Sequence, residues 1–153
     1  MNNGANRSNS ADESDHPPVR LTIVVPAFDE EALVSETVEH LLDMVPCRIH
    51  EVEIIIVNDG SSDGTRGIAD ALATRYPPVK AVHLSRNGGF GHAVRAGFTH
   101  ATKRYVTVCP ADYKLTRTDL DSYLALMGHA DIVIGYRRER RRNLHFFPWL
   151  VSA

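Results

Sequence analysis

Short apolar runs rich in β-branched residues alternate along this chain with segments of helical periodicity, and that alternation narrows the fold more than any other feature. Residues 21–25, 52–57, 79–84, 105–108 and 131–134 read as strands. Between them, residues 30–44 carry apolar side chains at Leu33, Val34, Val38, Leu41 and Leu42, one helical stripe that Pro46 stops. A second helix over 62–76 opens on Ser62 or Asp63 as a cap and ends at Pro77; a third covers 89–103 and a fourth 118–127. The order β-α-β-α-β-α-β-α-β predicts an α/β protein with a Rossmann-like, mostly parallel sheet and helices on both faces. In such sheets ligands bind in the crevice beyond the carboxyl ends of the strands.

The chain has 153 residues, 43% hydrophobic and 24% charged, which suits one soluble domain and excludes collagen-like, disulfide-scaffold and wholly disordered chains. Residues 1–19 are rich in Asn, Ser, Asp and Pro and lack apolar periodicity, so they read as a disordered lead-in. The domain proper is expected over 20–136, with 137–153 as a basic and aromatic segment. Formal charge is −2, but Arg137, Arg138, Arg140, Arg141 and Arg142 against Glu139 give +4 in six residues, leaving −6 for the rest. Basic character that local argues against a nucleic-acid partner. Cys47 and Cys109 lack metal-site or CxxC spacing. With no apolar signal core near the N-terminus and no stretch of about 18 apolar residues, a cytoplasmic protein is expected, or one peripheral on the cytoplasmic face of the membrane.

The strand ends collect the polar residues that chemistry needs. The first runs into Pro26-Ala27-Phe28-Asp29-Glu30-Glu31, where Pro26 should end the strand because it cannot donate to a ladder, and the carboxylates face the next helix N-terminus. Helix-dipole compensation accounts for Asp29 and Glu31. The second strand runs into Asn58-Asp59-Gly60-Ser61-Ser62-Asp63-Gly64-Thr65, in which turn chemistry explains Ser61 to Thr65. It leaves Asn58 and Asp59 free to meet a base N–H or a ribose hydroxyl. After the third strand, Arg86-Asn87-Gly88-Gly89 suggests either backbone amides aimed at phosphate or close helix packing. The fourth strand ends in Cys109-Pro110-Ala111-Asp112-Tyr113-Lys114, with Asp112 as a loop residue, a cap or a metal ligand.

Taken together and in this order, these stretches resemble the family 2 glycosyltransferases that use nucleotide-sugar donors, especially the polyprenyl- or dolichyl-phosphate sugar synthase branch. Val24-Val25-Pro26-Ala27-Phe28-Asp29-Glu30-Glu31 is similar to the family's V-P-x-[FY]-[ND]-E-E, and Val57-Asn58-Asp59-Gly60-Ser61-Ser62-Asp63-Gly64-Thr65 to its V-[DN]-D-G-S-x-D-G-T. Residues 86–97 resemble its R-N-x-G-x-G-x-A-x-x-x-G. The resemblance implies an A-type glycosyltransferase fold in which Pro26, Ala27, Phe28, Glu30, Val57, Asn58 and Asp59 cradle the donor nucleotide, with Arg86, Gly88, Ala111 and Lys114 also at the donor. Asp112 matches the last Asp of the family's D-A-D and would be catalytic and the metal ligand. Arg137 in Gly135-Tyr136-Arg137 matches its G-x-R and would be catalytic at the diphosphate or acceptor phosphate.

Two departures shape the expectation. Pro110 stands where the family has its first metal-motif Asp, and Lys114 where it often has Gln, so Mg²⁺ or Mn²⁺ would be held weakly, by Asp112, the donor diphosphate and water. The family's catalytic domain also continues past its G-x-R, so the chain reads as an enzyme shortened at its C-terminus. The implied reaction is transfer of a sugar from a nucleotide diphosphate, with inversion, to a polyprenyl phosphate or other lipid-linked or glycan acceptor; the alternative is a nucleotide-diphosphate-binding domain that needs a partner or the missing region. Five arginines followed by Phe146, Phe147, Trp149 and Leu150 suit an anionic membrane surface, or else a solvated helix and core left uncovered.

Overall fold

The computed structural model describes residues 18–45, 49–127 and 129–135, and the backbone of 149–152. Six strands form one sheet: β1 (Val19–Ala27), β2 (Ile49–Asn58), β3 (Val79–His83), β4 (Tyr105–Val108), β5 (Ile132–Ile134) and β6 (Trp149–Ser152). Their spatial order is β3-β2-β1-β4-β6-β5. The first four are parallel neighbours, while β6 runs antiparallel to both β4 and β5. Among the described residues, helices α1 (Val34–Met44), α2 (Thr65–Arg75), α3 (Phe90–His100) and α4 (Arg117–Leu126) follow β1, β2, β3 and β4 in turn. The mostly parallel sheet read from the sequence is therefore present.

Strand periodicity sorts the core into two layers. In β1 the odd positions Leu21, Ile23, Val25 and Ala27 pack with Val34, Val38 and Leu41 of α1, Ala69 and Leu72 of α2, and Leu120 and Leu124 of α4. On the other face Val24 packs with Ile55, Val57, Val106 and Val108 against Ala93 of α3. Gly97 lets α3 lie directly on β1, because a Cβ there would overlap the methyl groups of Val24. Strands buried on both faces explain why β1 and β2 read as continuous apolar runs.

The helix starts differ from expectation for identifiable reasons. Helix α2 begins at Thr65, not Ser62, because the Ser62 amide and hydroxyl turn to Asp29. Asp63 does satisfy a first-turn donor, the Thr65 amide, at 3.0 Å. Helix α1 begins at Val34, after the carbonyl of Glu30 has accepted the amides of Leu33 and Val34. Helix α4 is set by a capping box in which Thr116 and Asp119 bond each other's backbone amides.

Pro26 does not end its strand, which is a correction. β1 runs on through Pro26↔Val57 and Ala27↔Asn58. The backbone of Pro26 faces the β4 side, where its carbonyl accepts from Ala111, so its missing N–H interrupts only the β1·β4 ladder, which ends at Val24↔Val108, and leaves the β1·β2 ladder whole.

Candidate donor site at the carboxyl edge of the sheet

The carboxyl ends of β1, β2 and β4 meet at one edge. The Asp59 amide donates to the Ala27 carbonyl at 2.9 Å, and the Ala111 amide to the Pro26 carbonyl at 3.2 Å, so the three segments that carry the candidate residues are stitched side by side. Thr37 of α1 fixes the far side by donating its hydroxyl to the Ala111 carbonyl at 2.6 Å. Pro26, Ala27, Val57, Asn58, Asp59 and Ala111 are buried, whereas Phe28, Arg86, Gly88, Asp112 and Lys114 are exposed and Glu30 is half-buried. Arg137 lies outside the described residues.

Asp59 is not the free rim carboxylate that the sequence suggested. It is only 3% exposed. One of its oxygens accepts the Gly88 amide at 3.1 Å and the other the Gly89 amide at 2.8 Å, with His92 Nδ1 at 3.6 Å. This overturns the reading of the glycine-rich loop as amides aimed at phosphate: in this structure those two amides point at Asp59. Gly60 makes the arrangement sterically possible. Its φ of +71° is open to glycine, and a Cβ there would lie 2.5 Å from the Arg86 carbonyl carbon and 2.7 Å from the Asn87 nitrogen.

Asn58 is also structurally engaged. Its Oδ1 accepts the Ser61 amide at 3.0 Å, and its Nδ2 meets His83 Nδ1 at 3.3 Å, while His83 Nε2 meets Asp70 at 2.9 Å. With Asp70 accepting from Nε2–H, Nδ1 is left to accept from Asn58, so one tautomer satisfies the row.

Asp29 and Glu31 do not act as dipole partners of α1. They hold the neighbouring loop: Asp29 Oδ1 accepts the Ser62 amide at 2.8 Å, and Glu31 Oε2 the Gly64 amide at 2.7 Å. The return bonds run from the amides of Asp29, Glu30 and Glu31 to the side chains of Ser61, Thr65 and Asp63, at 3.0, 2.9 and 3.1 Å. This two-way clamp was missed in the sequence. Its only trace is that acceptors occur at alternate positions in both loops.

Electrostatically the edge gathers negative charge. Partial burial pushes the Glu30 carboxyl above its ordinary range, and the nearby anions of Asp112 and Asp63 push it further. Lys114 lies 3.9 Å from Glu36 across an exposed groove of about 110 Å³ that Asp112, Ala111 and Tyr113 also line. Burial drives the Cys109 thiol up to about 12, so it is an inert part of the core. Among the described residues no group of three or more His, Cys, Asp or Glu side chains converges as a metal cage, and no helix is long and apolar enough to cross a membrane.

The family model described as Glycosyl transferase family 2 matches residues 22–151. The chain belongs to that family. Its curated relatives include the prophage bactoprenol glucosyl transferase homolog of Escherichia coli K12 and the bactoprenol glucosyl transferase of Shigella phage SfV. Each is 32% identical over 130 residues, which is 80% of this chain and 40% of the relative. The chain thus spans about 40% of the length of these relatives. Among solved structures, the mannosyltransferase PcManGT from Pyrobaculum calidifontis, in complex with GDP-Man and Mn²⁺, superposes with a TM-score of 0.66 at 24% identity, over 80% of this chain and 36% of that one. S. aureus TarS 1-349 in complex with UDP-GlcNAc gives 0.65 at 22%, over 84% and 37%. The fold is that of these glycosyltransferases.

Proposed function

We propose that this chain forms the donor-binding part of a family 2 enzyme that transfers a sugar from a nucleotide diphosphate to a polyprenyl phosphate, with inversion at the anomeric carbon. The observation that carries the reading is the meeting of the Pro26–Phe28, Asp59 and Ala111–Asp112 segments at the carboxyl edge of a parallel sheet. Relatives that are bactoprenol glucosyl transferases make the lipid phosphate the favoured acceptor and glucose the favoured sugar.

In this reading Phe28, 43% exposed beside buried Ala27 and Asp59, offers an apolar platform to the base. Asp59 holds the Gly88–Gly89 loop and keeps lone pairs to spare for a base or ribose donor. Arg86 and Lys114 are the exposed cations beside the diphosphate, and Arg137 joins them by its match to the family's G-x-R. A phosphate acceptor is already anionic at neutral pH, so it can attack without a strong general base, and the main task is to stabilise the leaving diphosphate.

A divalent cation fits this edge in part: Asp112 is exposed and Glu30 is close enough to feel its charge, while Pro110 offers no ligand. Bound there, Mg²⁺ or Mn²⁺ would neutralise the donor diphosphate. The coupling should stay below about a hundredfold in nucleotide-diphosphate affinity, since a single exposed carboxylate leaves most coordination to phosphate and water.

Pro110 also favours a second reading, a nucleotide-diphosphate-binding domain that becomes active only with further chain or a partner. One screen separates the two. UDP-, GDP- and dTDP-sugars are tested by thermal shift, and each binder is then offered with undecaprenyl phosphate. Binding followed by glycolipid formation supports the transferase; binding without product supports the second reading; no binding by any nucleotide sugar rejects both. The basic segment would bring the site to an anionic cytoplasmic membrane face, with no nucleic acid involved.

A further inference from the structure

Asp29 is the only non-glycine residue with a positive φ, +53°, among the described residues. A left-handed backbone is costly for a residue with a Cβ, and Asp and Asn bear it best because their short side chains can bond nearby backbone. Such a conformation persists only where its surroundings over-determine it. Here they do. Asp29 donates its amide to Ser61 Oγ at 3.0 Å, and its Oδ1 accepts from the Ser62 amide at 2.8 Å and the Ser62 hydroxyl at 3.3 Å. The bonds of Glu30 and Glu31 to Thr65 and Asp63 fix the residues that follow.

The consequence falls on the residue before it. Ala27 ends β1 at 3% exposed, and Phe28, one residue on, keeps 43% of its surface in solvent. The parity of β1 assigns Phe28 to the α3 face, yet it joins neither core cluster. A phenyl ring next to a core lowers its free energy by burying itself, and the ring of Phe28 stays out. The abrupt left-handed turn at Asp29 is directly adjacent.

We propose that Asp29 is a positioning residue whose clamped left-handed turn presents Phe28 on the sheet edge as the platform for the donor base. The inference rests on the donor-site reading above, and the test separates the two. Affinities for UDP, GDP and inorganic diphosphate are measured by calorimetry on the parent chain and on Phe28→Ala, Asp29→Ala and Asp29→Asn, with melting temperatures alongside. Asn tolerates the left-handed region and retains an oxygen for Ser62, so Asp29→Asn should stay within about threefold of the parent. Asp29→Ala should weaken the nucleotide that binds by tenfold or more and leave inorganic diphosphate unchanged, matching Phe28→Ala. If Phe28→Ala leaves nucleotide affinity intact, the platform reading fails first. If Phe28→Ala weakens binding but Asp29→Ala does not, or if Asp29→Ala weakens inorganic diphosphate equally, Asp29 does not position the ring. If Asp29→Ala proves too unstable to measure, Asp29→Gly decides: it keeps the positive φ and removes the clamp, and parental affinity in it would overturn the proposal.

Discussion

A Cβ placed on Gly60 would lie 2.5 Å from the carbonyl carbon of Arg86, so the turn after β2 and the loop after β3 cross in van der Waals contact, backbone on backbone. Gly60→Ala meets both this clash and a positive φ, and the atoms nearest to the new methyl are backbone of Arg86 and Asn87, which cannot swing aside as a flexible side chain could. The substitution should cost about 2 kcal/mol or more. It should also displace the Arg86–Gly89 loop and weaken nucleotide-diphosphate binding. A parental melting temperature together with parental affinity would show that the two loops separate easily.

Asp59→Ala should lower stability as well as nucleotide affinity, because the carboxylate that the sequence leaves free for a ligand is buried. It removes a buried acceptor of the Gly88 and Gly89 amides. About 2 kcal/mol is expected, or roughly 4 to 8 °C in melting temperature for a domain of this size. A variant that melts with the parent and still loses the nucleotide would restore the view of Asp59 as a pure ligand contact.

Glu53 gives the stability of the fold its clearest acid dependence. The residue is 3% exposed at the middle of β2 and accepts from Thr22, Lys80 and both the amide and hydroxyl of Thr102. Burial alone would raise its pKa, but the hydrogen bonds from Lys80, Thr22 and Thr102 outweigh it and hold the carboxyl at about 2. A depressed carboxyl stabilises the folded state above its unfolded value near 4.5 and loses that contribution as pH falls toward 2. The difference corresponds to at most about 3 kcal/mol. Urea unfolding of Glu53→Gln should therefore show a large deficit at pH 7 that narrows below about pH 4.5 and nearly closes toward pH 2; a deficit independent of pH would rule out this ion.

Much of the fold was legible because burial on both sheet faces writes continuous apolar runs, and Pro46 and Pro77 punctuate them. The layer order and the four parallel strands follow from that pattern. What the sequence hid was how polar side chains are consumed. Asn58 and Asp59 looked available for a ligand, yet their partners, His83 at the end of β3 and Gly88 and Gly89 in the loop after it, come from about 25 to 30 residues on, and no local rule pairs them. Ser62 looked like a helix cap because its nearest donors are in α2; a longer-range acceptor, Asp29, won. Pro26 misled because its backbone faces β4, so the pairing of β1 with β2 runs past it unbroken.

The arginines at 137–142, which lie outside the described residues, are tested at a membrane. Arg138, Arg140, Arg141 and Arg142 replaced by Ser should abolish co-sedimentation with anionic vesicles, and parental binding should fade as salt rises from 0.1 to 1 M, over which the Debye length falls from about 10 to about 3 Å. Arg137 is left in place because it is a candidate diphosphate contact. Undiminished binding by the substituted chain would make the arginines a solvated surface.

The two-way clamp between the loops after β1 and β2 has a consequence for how the site opens. Each loop supplies the acceptors for the other's amides, so neither can leave alone without stranding donors on both. Hydrogen exchange at Asp29, Glu30, Glu31, Ser62 and Gly64 would then proceed through one shared opening, and the residues that flank Phe28 would order and disorder as a single cooperative unit.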